Sequence, residues 1–404
     1  MTAVTFPNGN QYSDDGTTAN DMRNGGFRTS LLPMIGDTIT VANSAVTAAA
    51  SAVPAATTAT SAASTASAAA ATASAAAATA VGVSLIKQPS EIAGVDPTVD
   101  FVLSSSVALP AGVMAGTSAK YVFDRTGALT STAAGTPPIE FDAVSGALRG
   151  MRVETAATNL ILGSDAPSTQ TVSVTAQAYT LSFYGTGSIV LSGTYSATVT
   201  GTGAFPTQKT LTFTPTAGTL TLTISGTVQY AQLEAGSFPT SYIKTVGSTV
   251  TRTADSNIMS LSGVSGWNSA EGTAYVEADL PQTTTYPGVF QIDDGTLNNF
   301  VRIIGVANST AVWAEIYVGG VAQATLVLGN MTPGTTFKAV VAWKANSFAG
   351  CLNGGTVATD TSGSVPTPTQ IRLGSGSVVS GGHVRRLTVF PRRLPDATLA
   401  LLTA

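Results

Sequence analysis

Between Thr38 and Val81 the chain has no charged residue and consists almost wholly of Ala, Ser and Thr. Read in sevens, this stretch is ordered. Ala42, Ala49, Ala56, Ala63, Ala70 and Ala77 form one column, and Ala45, Ala52, Ala59, Ala66, Ala73 and Ala80 a second. Ala48, Ala55, Ala62, Ala69 and Ala76 form a third, and Ser44, Ser51, Thr58, Thr65, Thr72 and Thr79 a fourth that always carries a hydroxyl. On a helix the Ala columns lie side by side as a stripe roughly 100° wide. A seven-residue repeat kept this long implies a left-handed supercoil of several helices.

An Ala seam buries little area per residue, and Ser and Thr are mediocre helix formers, so a lone helix here would be weak. Association gives the stripe a surface to cover. If helical throughout, the stretch spans roughly 65 Å at about 1.5 Å per residue, the length of a stalk. Pro54 falls opposite the stripe, where it kinks the helix outward or marks the start of its better-formed part. A structureless Ala/Ser/Thr linker is the alternative reading.

The remainder is long enough for two or three domains. Only 10% of the whole chain's 404 residues are charged and the net charge is -4, which argues against nucleic-acid binding through a basic face. No run of about 20 strongly apolar residues exists, so no membrane insertion is expected. The first residues lack the basic-then-apolar order of a signal peptide, and none is expected. Cys351 and His383 are the single cysteine and histidine, so neither a disulfide within the chain nor a Cys/His metal cluster can form. Neither a metal nor a cofactor is expected.

Residues 1–37 are turn-rich and end in the apolar cluster Leu31, Leu32, Met34 and Ile35. They are too few for a core of their own, and read as an attachment segment or as a cap on the stalk. The stalk occupies 38–86. Residues 87–165 read as an irregular β connector. Residues 166–255 alternate Thr, Ser and Val between Gly turns, as in Tyr179–Tyr184 and Leu220–Ile224. That pattern predicts a small antiparallel sandwich. Residues 256–404 predict a further, autonomous sandwich that ends in a short helix after Pro395. The expected fold class is therefore mainly β: an α-helical coiled-coil stalk followed by two antiparallel jelly-roll sandwiches.

The connector carries a spaced pattern: Tyr121…Asp124-Arg125-Thr126-Gly127, then Pro138…Phe141-Asp142…Gly146, then Arg149-Gly150-Met151…Glu154…Thr158-Asn159-Leu160. It resembles a segment common in bacteriophage tail-fibre and related virion proteins, where it precedes small β-sandwich modules. Ala231–Gly236 and Pro239–Ile243 resemble the last strand and exit of carbohydrate-binding-type jelly rolls in such fibres. In the last domain, Ala342-Trp343-Lys344, the Asn353-Gly354-Gly355 turn and Leu373-Gly374 before a final strand resemble a concanavalin A-like, laminin-G-type jelly roll. The resemblance implies a virion fibre that is a homotrimer along its Ala columns. It also implies contact with other virion proteins through residues 1–37, and recognition of a host surface polysaccharide at the far end.

Candidate sugar contacts follow from residue type. Asp293, Asp294, Asn298 and Asn299 supply the oxygens that sugar hydroxyls or calcium would want, although Asp-Gly and Asn-Asn are also ordinary hairpin residues. Trp313 and Tyr317, four apart on one strand, offer rings either to a sugar or to a core. Arg385, Arg386, Arg392 and Arg393 bracket the last strand and read as a charge-protected sheet edge. His383 has no acid beside it in sequence and reads as structural. No G-x-S-x-G motif and no evident acidic pair for glycoside cleavage is present. The expectation is attachment without catalysis, with a purely structural fibre and a polysaccharide depolymerase as alternatives.

Overall fold

The computed structural model describes residues 4–5, 11–12, 88–103, 113–114, 118–281, 285–376 and 378–404. The stalk and its Ala columns, and all of the 1–37 segment apart from four residues, lie outside them. The chain divides into two compact units, Met1–Ile86 and Lys87–Ala404. In the first, Val4–Thr5 pairs antiparallel with Gln11–Tyr12.

The second unit is mainly β, and its sheets are antiparallel. Its larger sandwich joins a seven-stranded sheet to an eight-stranded one. The seven-stranded sheet runs Val321–Asn330, Ala311–Val318, Phe300–Gly305, Gly288–Asp293, Gln370–Leu373, Asn257–Ser260 and Val113–Met114. Period-two alternation sets which side chains face inward. In Ala311–Val318, Val312, Ala314 and Ile316 enter the core while Trp313 and Tyr317 point the other way. The core is filled by large apolar side chains, Phe290, Phe337, Phe348 and Trp343 among them. Gly272 is required by close approach, because a Cβ there would lie 2.3 Å from the Trp343 ring.

The eight-stranded sheet runs Ala358–Asp360, Phe348–Leu352, Phe337–Lys344, Glu271–Asp279, His383–Phe390, Leu148–Arg152 and Ile139–Phe141, with Val99–Val102 also paired to His383–Phe390. The strand read as a charge-protected edge is therefore interior. His383–Phe390 is paired along one side by Glu271–Asp279 and along the other by Val99–Val102 and Leu148–Arg152. Its arginines find local partners: Arg386 Nη2 meets Asp100 at 2.6 Å, and Arg385 Nε donates to the Arg149 carbonyl at 3.0 Å. Pairing also runs across the boundary expected at 255/256, since residues 99–152 contribute strands to this sheet. Terminal helix Asp396–Thr403 lies where expected and buries Leu399 and Leu402 against Val340, Ala342 and Cys351.

The smaller sandwich has a four-stranded sheet (Gln170–Val174, Gly218–Ser225, Ser188–Gly193, Ala197–Thr200) and a three-stranded one (Gly203–Phe213, Tyr179–Gly185, Gln229–Ala235). Leu181, Phe183, Ile189, Leu191, Leu220 and Leu222 fill it. The chain enters it after Ala157–Asn159 and leaves it before Val250–Arg252, and these two segments are themselves paired, Asn159 opposite Val250.

The connector motif builds the joint between the sandwiches. Asp124 and Asp142 each close a turn: Asp124 Oδ1 accepts from the Thr126 and Ala128 amides, and Asp142 Oδ1 from the Val144 and Ser145 amides. Gly150 (φ +112°) passes so close to the last strand that a Cβ would meet the Val384 carbonyl oxygen at 2.7 Å. The Asn159 side chain donates to the Ala231 and Ile243 carbonyls and accepts from the Ile161 and Leu233 amides, which uses its whole hydrogen-bonding capacity. Glu154, fully buried, accepts from Arg152 Nε at 2.8 Å and from the Ser241 amide and hydroxyl at 2.6 Å each. It also faces Arg252 at 3.1 Å and Lys120 at 3.7 Å. Lys120 is bonded to Asp255, whose carboxylate also takes the Glu154 amide at 2.8 Å. His383 lies between Asp279 (2.9 Å) and Glu140 (2.6 Å), 104 and 243 positions away in the chain. Its acids come from elsewhere in the chain, and its place is structural.

Candidate functional site on the outer sheet face

The outer face of the seven-stranded sheet collects three of the six side chains expected to touch sugar, Asp293, Trp313 and Tyr317. Strand register sets them in two rows. Glu315, Arg302, Gln291 and Arg372 stand opposite one another across four strands, and Tyr317, Phe300, Asp293 and Gln370 form the neighbouring row. Trp313 stands two residues from Glu315 on the same strand, opposite Ile304. Trp313 and Tyr317 are half-buried, so neither belongs to the core. The Tyr317 ring stacks on Phe300 at 4.7 Å and 20°, and the Arg302 guanidinium lies 4.3 Å from the Phe300 centroid.

Ion pairs hold the arginines in place. Arg302 Nε donates to Glu315 at 2.8 Å and its Nη2 reaches the same oxygen at 2.7 Å. Asp293, wholly buried, accepts four bonds of 2.7 Å each. Its Oδ2 takes Arg372 Nε and Gln291 Nε2, and its Oδ1 takes Gln370 Nε2 and the Gly295 amide. A carboxylate so fully used has nothing left for a ligand, and its work is to aim Arg372. Among the described residues the two terminal nitrogens of Arg372 have no hydrogen-bond partner, and neither does the buried Gln291 Oε1. They place unmet donors and an unmet acceptor on the same sheet face as the aromatic rings, toward its Gln370–Leu373 side.

The other candidates lie in the turn that leads into this face. Hydrogen bonds from Thr296 hold the Asp294 carboxyl below its ordinary range, and Asn299 Nδ2 donates to it at 2.8 Å. Asn299 Oδ1 accepts the Gly319 amide at 2.9 Å, so the side chain ties two turns together. Asn298 is exposed and takes part through its backbone, its carbonyl accepting from the Gly320 amide at 2.9 Å. Among the described residues no group of three or more His, Cys, Asp or Glu is placed to hold a metal ion. None of the described helices is long and apolar enough to cross a membrane.

Sequence reasoning missed Arg302, Glu315, Gln291, Phe300 and Arg372. A signal for two of them was present. Phe300 and Arg302 alternate on one strand with Val301 and Ile303, so a charge on the outward parity was legible. That Arg372, from a strand some 70 positions on, stands opposite Gln291 depends on a long-range pairing that no local pattern contains.

No protein-family model matches the chain, and no curated protein does. Among solved structures it is similar to the CBM40 domain of the Ruminococcus gnavus IT-sialidase bound to α2,3-sialyllactose (15% identity, 34% of this chain and 84% of that one, TM-score 0.30). It is also similar to a native heptameric SAP-like pentraxin from Limulus polyphemus (11% identity, 33% and 70%, TM-score 0.26). A third is the binding domain of botulinum neurotoxin DC in complex with SialylT (11% identity, 37% and 39%, TM-score 0.28). Likeness at this level assigns neither a ligand nor a residue.

Proposed function

We propose that the chain is a glycan-binding fibre protein of a bacteriophage particle, with the outer face of the seven-stranded sheet as its sugar-contacting surface. One observation carries the glycan reading: half-buried Trp313 and Tyr317 share one sheet face with Arg372, three strands away, whose terminal nitrogens are left free while a fully bonded Asp293 holds its Nε. Aromatic rings and fixed polar donors spread over one face match a short run of sugar units, each of which offers an apolar C–H face and a rim of hydroxyls. The fibre reading is supported by the connector motif and the Ala columns: a homotrimer along residues 38–81, anchored through residues 1–37, that attaches to a host surface polysaccharide without catalysis.

The test is binding of the full-length chain to an array of bacterial surface polysaccharides, beside Arg372→Met and Trp313→Ala. Retention of wild-type protein, weakened about tenfold or more in either variant, is expected. A wild-type chain that binds no polysaccharide would leave a structural fibre as the better reading. Bound glycan with both variants unaffected would move the surface elsewhere. Individual contacts are weak, so a trimer whose sites engage together gains ~10²–10⁴ in avidity, and a monomeric form lacking residues 1–86 should bind far less well.

A further inference from the structure

The joint between the sandwiches leaves a cleft of about 270 Å³ that the sheet face does not use. It is walled by the rings of Tyr121 and Phe123 from the hairpin strand Lys120–Phe123, Tyr184 from the smaller sandwich, and Tyr242 beyond it. Tyr121 and Tyr242 lie 5.4 Å apart, and Phe123 and Tyr184 6.2 Å apart. Glu140, 5% exposed, also lines the cleft. Both of its protein partners, Arg152 Nη1 at 2.9 Å and His383 Nε2 at 2.6 Å, contact Oε2. Among the described residues Oε1 has no partner. The Tyr184 hydroxyl, on a side chain only 6% exposed, has none either. The Tyr242 hydroxyl is occupied, since it donates to Asp165 at 2.7 Å, so that residue offers only its ring.

We propose that this cleft is a second binding site, built for one ring of a neutral, polyhydroxylated sugar. The unused Glu140 oxygen accepts a ligand hydroxyl, the Tyr184 hydroxyl donates to or accepts from another, and the aromatic walls cover the ring's C–H face. Charge selects for neutrality from both directions. The Glu140 carboxylate disfavours an anion, while Arg149 and Arg152, which also line the cleft, disfavour the ammonium ion that an aromatic cage would otherwise suit. The volume lies just under the ~300–1,000 Å³ of ordinary ligand pockets, which limits the occupant to about one sugar unit. The site is separate from the sheet face and does not depend on it.

The test uses the full chain carrying Trp313→Ala, so that the sheet face contributes little. The probes are the methyl glycosides of glucose, galactose, mannose and N-acetylglucosamine, with choline and N-acetylneuraminic acid as charged comparators, followed by ligand-detected NMR. A neutral glycoside is expected to bind, and adding Tyr184→Phe should weaken it about tenfold through loss of one buried hydrogen bond. Tyr184→Phe keeps the ring, so an unchanged thermal transition would show that the fold survives. Phe123→Ala should abolish binding. The proposal is overturned if no neutral glycoside binds, if Tyr184→Phe and Phe123→Ala both leave binding unchanged, or if choline or N-acetylneuraminic acid binds in preference. Loss of polysaccharide binding in Trp313→Ala alone, with the glycoside still bound, would fail neither site.

Discussion

Two clusters in this unit use the same chemistry, arginine against carboxylate, to opposite ends. At the joint, Glu154 and Asp255 are sealed among Arg152, Arg252 and Lys120, and the Glu154 oxygens are bonded on every side. On the sheet face, Asp293 is equally saturated, yet the guanidinium it holds is left with free N–H groups at a half-open surface. Charges fully taken from water repay their desolvation only when every partner is present, so removing one partner is costly. Charges left half-wet cost less to lose and have capacity to spare for a ligand. The difference lies in whether donors remain over after the internal bonds are counted.

The contrast can be broken most directly at Glu154. Glu154→Gln should destabilise the chain by ~3–5 kcal/mol, read as a lowered urea midpoint, because Arg252 is left buried without its acid and Lys120 keeps only Asp255. A loss below about 3 kcal/mol would place the joint in the same class as the sheet face. The pH profile is a second approach. Burial works against the Glu140 charge, but Arg152 and His383 outweigh it and bring its pKa from 4.5 down to about 2. A carboxylate depressed in the folded state adds stability above its unfolded pKa and loses it as pH falls through the folded one. Stability should therefore decline by about 3 kcal/mol between pH ~4.5 and ~2 from this group alone, and Glu140→Gln should flatten that decline.

Sheet-face substitutions should move binding more than folding. Arg372→Met leaves the wholly buried Asp293 without its cation but with three other hydrogen bonds, so it is expected to cost ~1–3 kcal/mol of stability and to weaken polysaccharide binding about tenfold or more, compared by urea unfolding and array retention on the same preparation. Trp313→Ala should lower affinity by a similar factor, since ring contacts of this kind are worth ~0.5–1.5 kcal/mol. The smallest effect belongs to Asn298→Ala. Its side chain is exposed and makes no hydrogen bond among the described residues, so stability should stay within about 0.5 kcal/mol and binding should hold. A marked loss of binding there would shift the sugar surface toward the turn at 293–299.

Strand existence was legible from local pattern. Alternation placed Tyr179–Tyr184 and Ala311–Val318, because side-chain parity is a local property, and the segment after Pro395 read as the terminal helix. Pairing was less legible. His383–Phe390 carries four arginines in or near it and reads as an edge, but its flank is covered by Val99–Val102, nearly 300 positions earlier. The connector motif showed the opposite difficulty. Its spacing was plain and the turns that Asp124 and Asp142 close are local, yet that Glu154 and Asn159 clamp two sandwiches together depends on partners at 231–255. On the outer face of the seven-stranded sheet, residue type pointed to Trp313, Tyr317 and Asp293. Asp293 proved to be a buried anchor, and the arginine it serves lay in a strand that residue type alone gave no reason to examine.

The smaller sandwich begins and ends at one place, where Asn159 stands opposite Val250. Its chain ends are thus neighbours across a single β ladder, about 5 Å apart. A module attached in this way is a cassette. One with other strands and other loops could be spliced between the same two segments without altering the register of either large sheet. Only a few docking groups would have to be kept, chiefly the carbonyls and amides that Asn159 grips and the serine that Glu154 holds. The larger sandwich then serves as a chassis, and whatever the smaller module presents could be varied by exchanging the insert while its frame is kept.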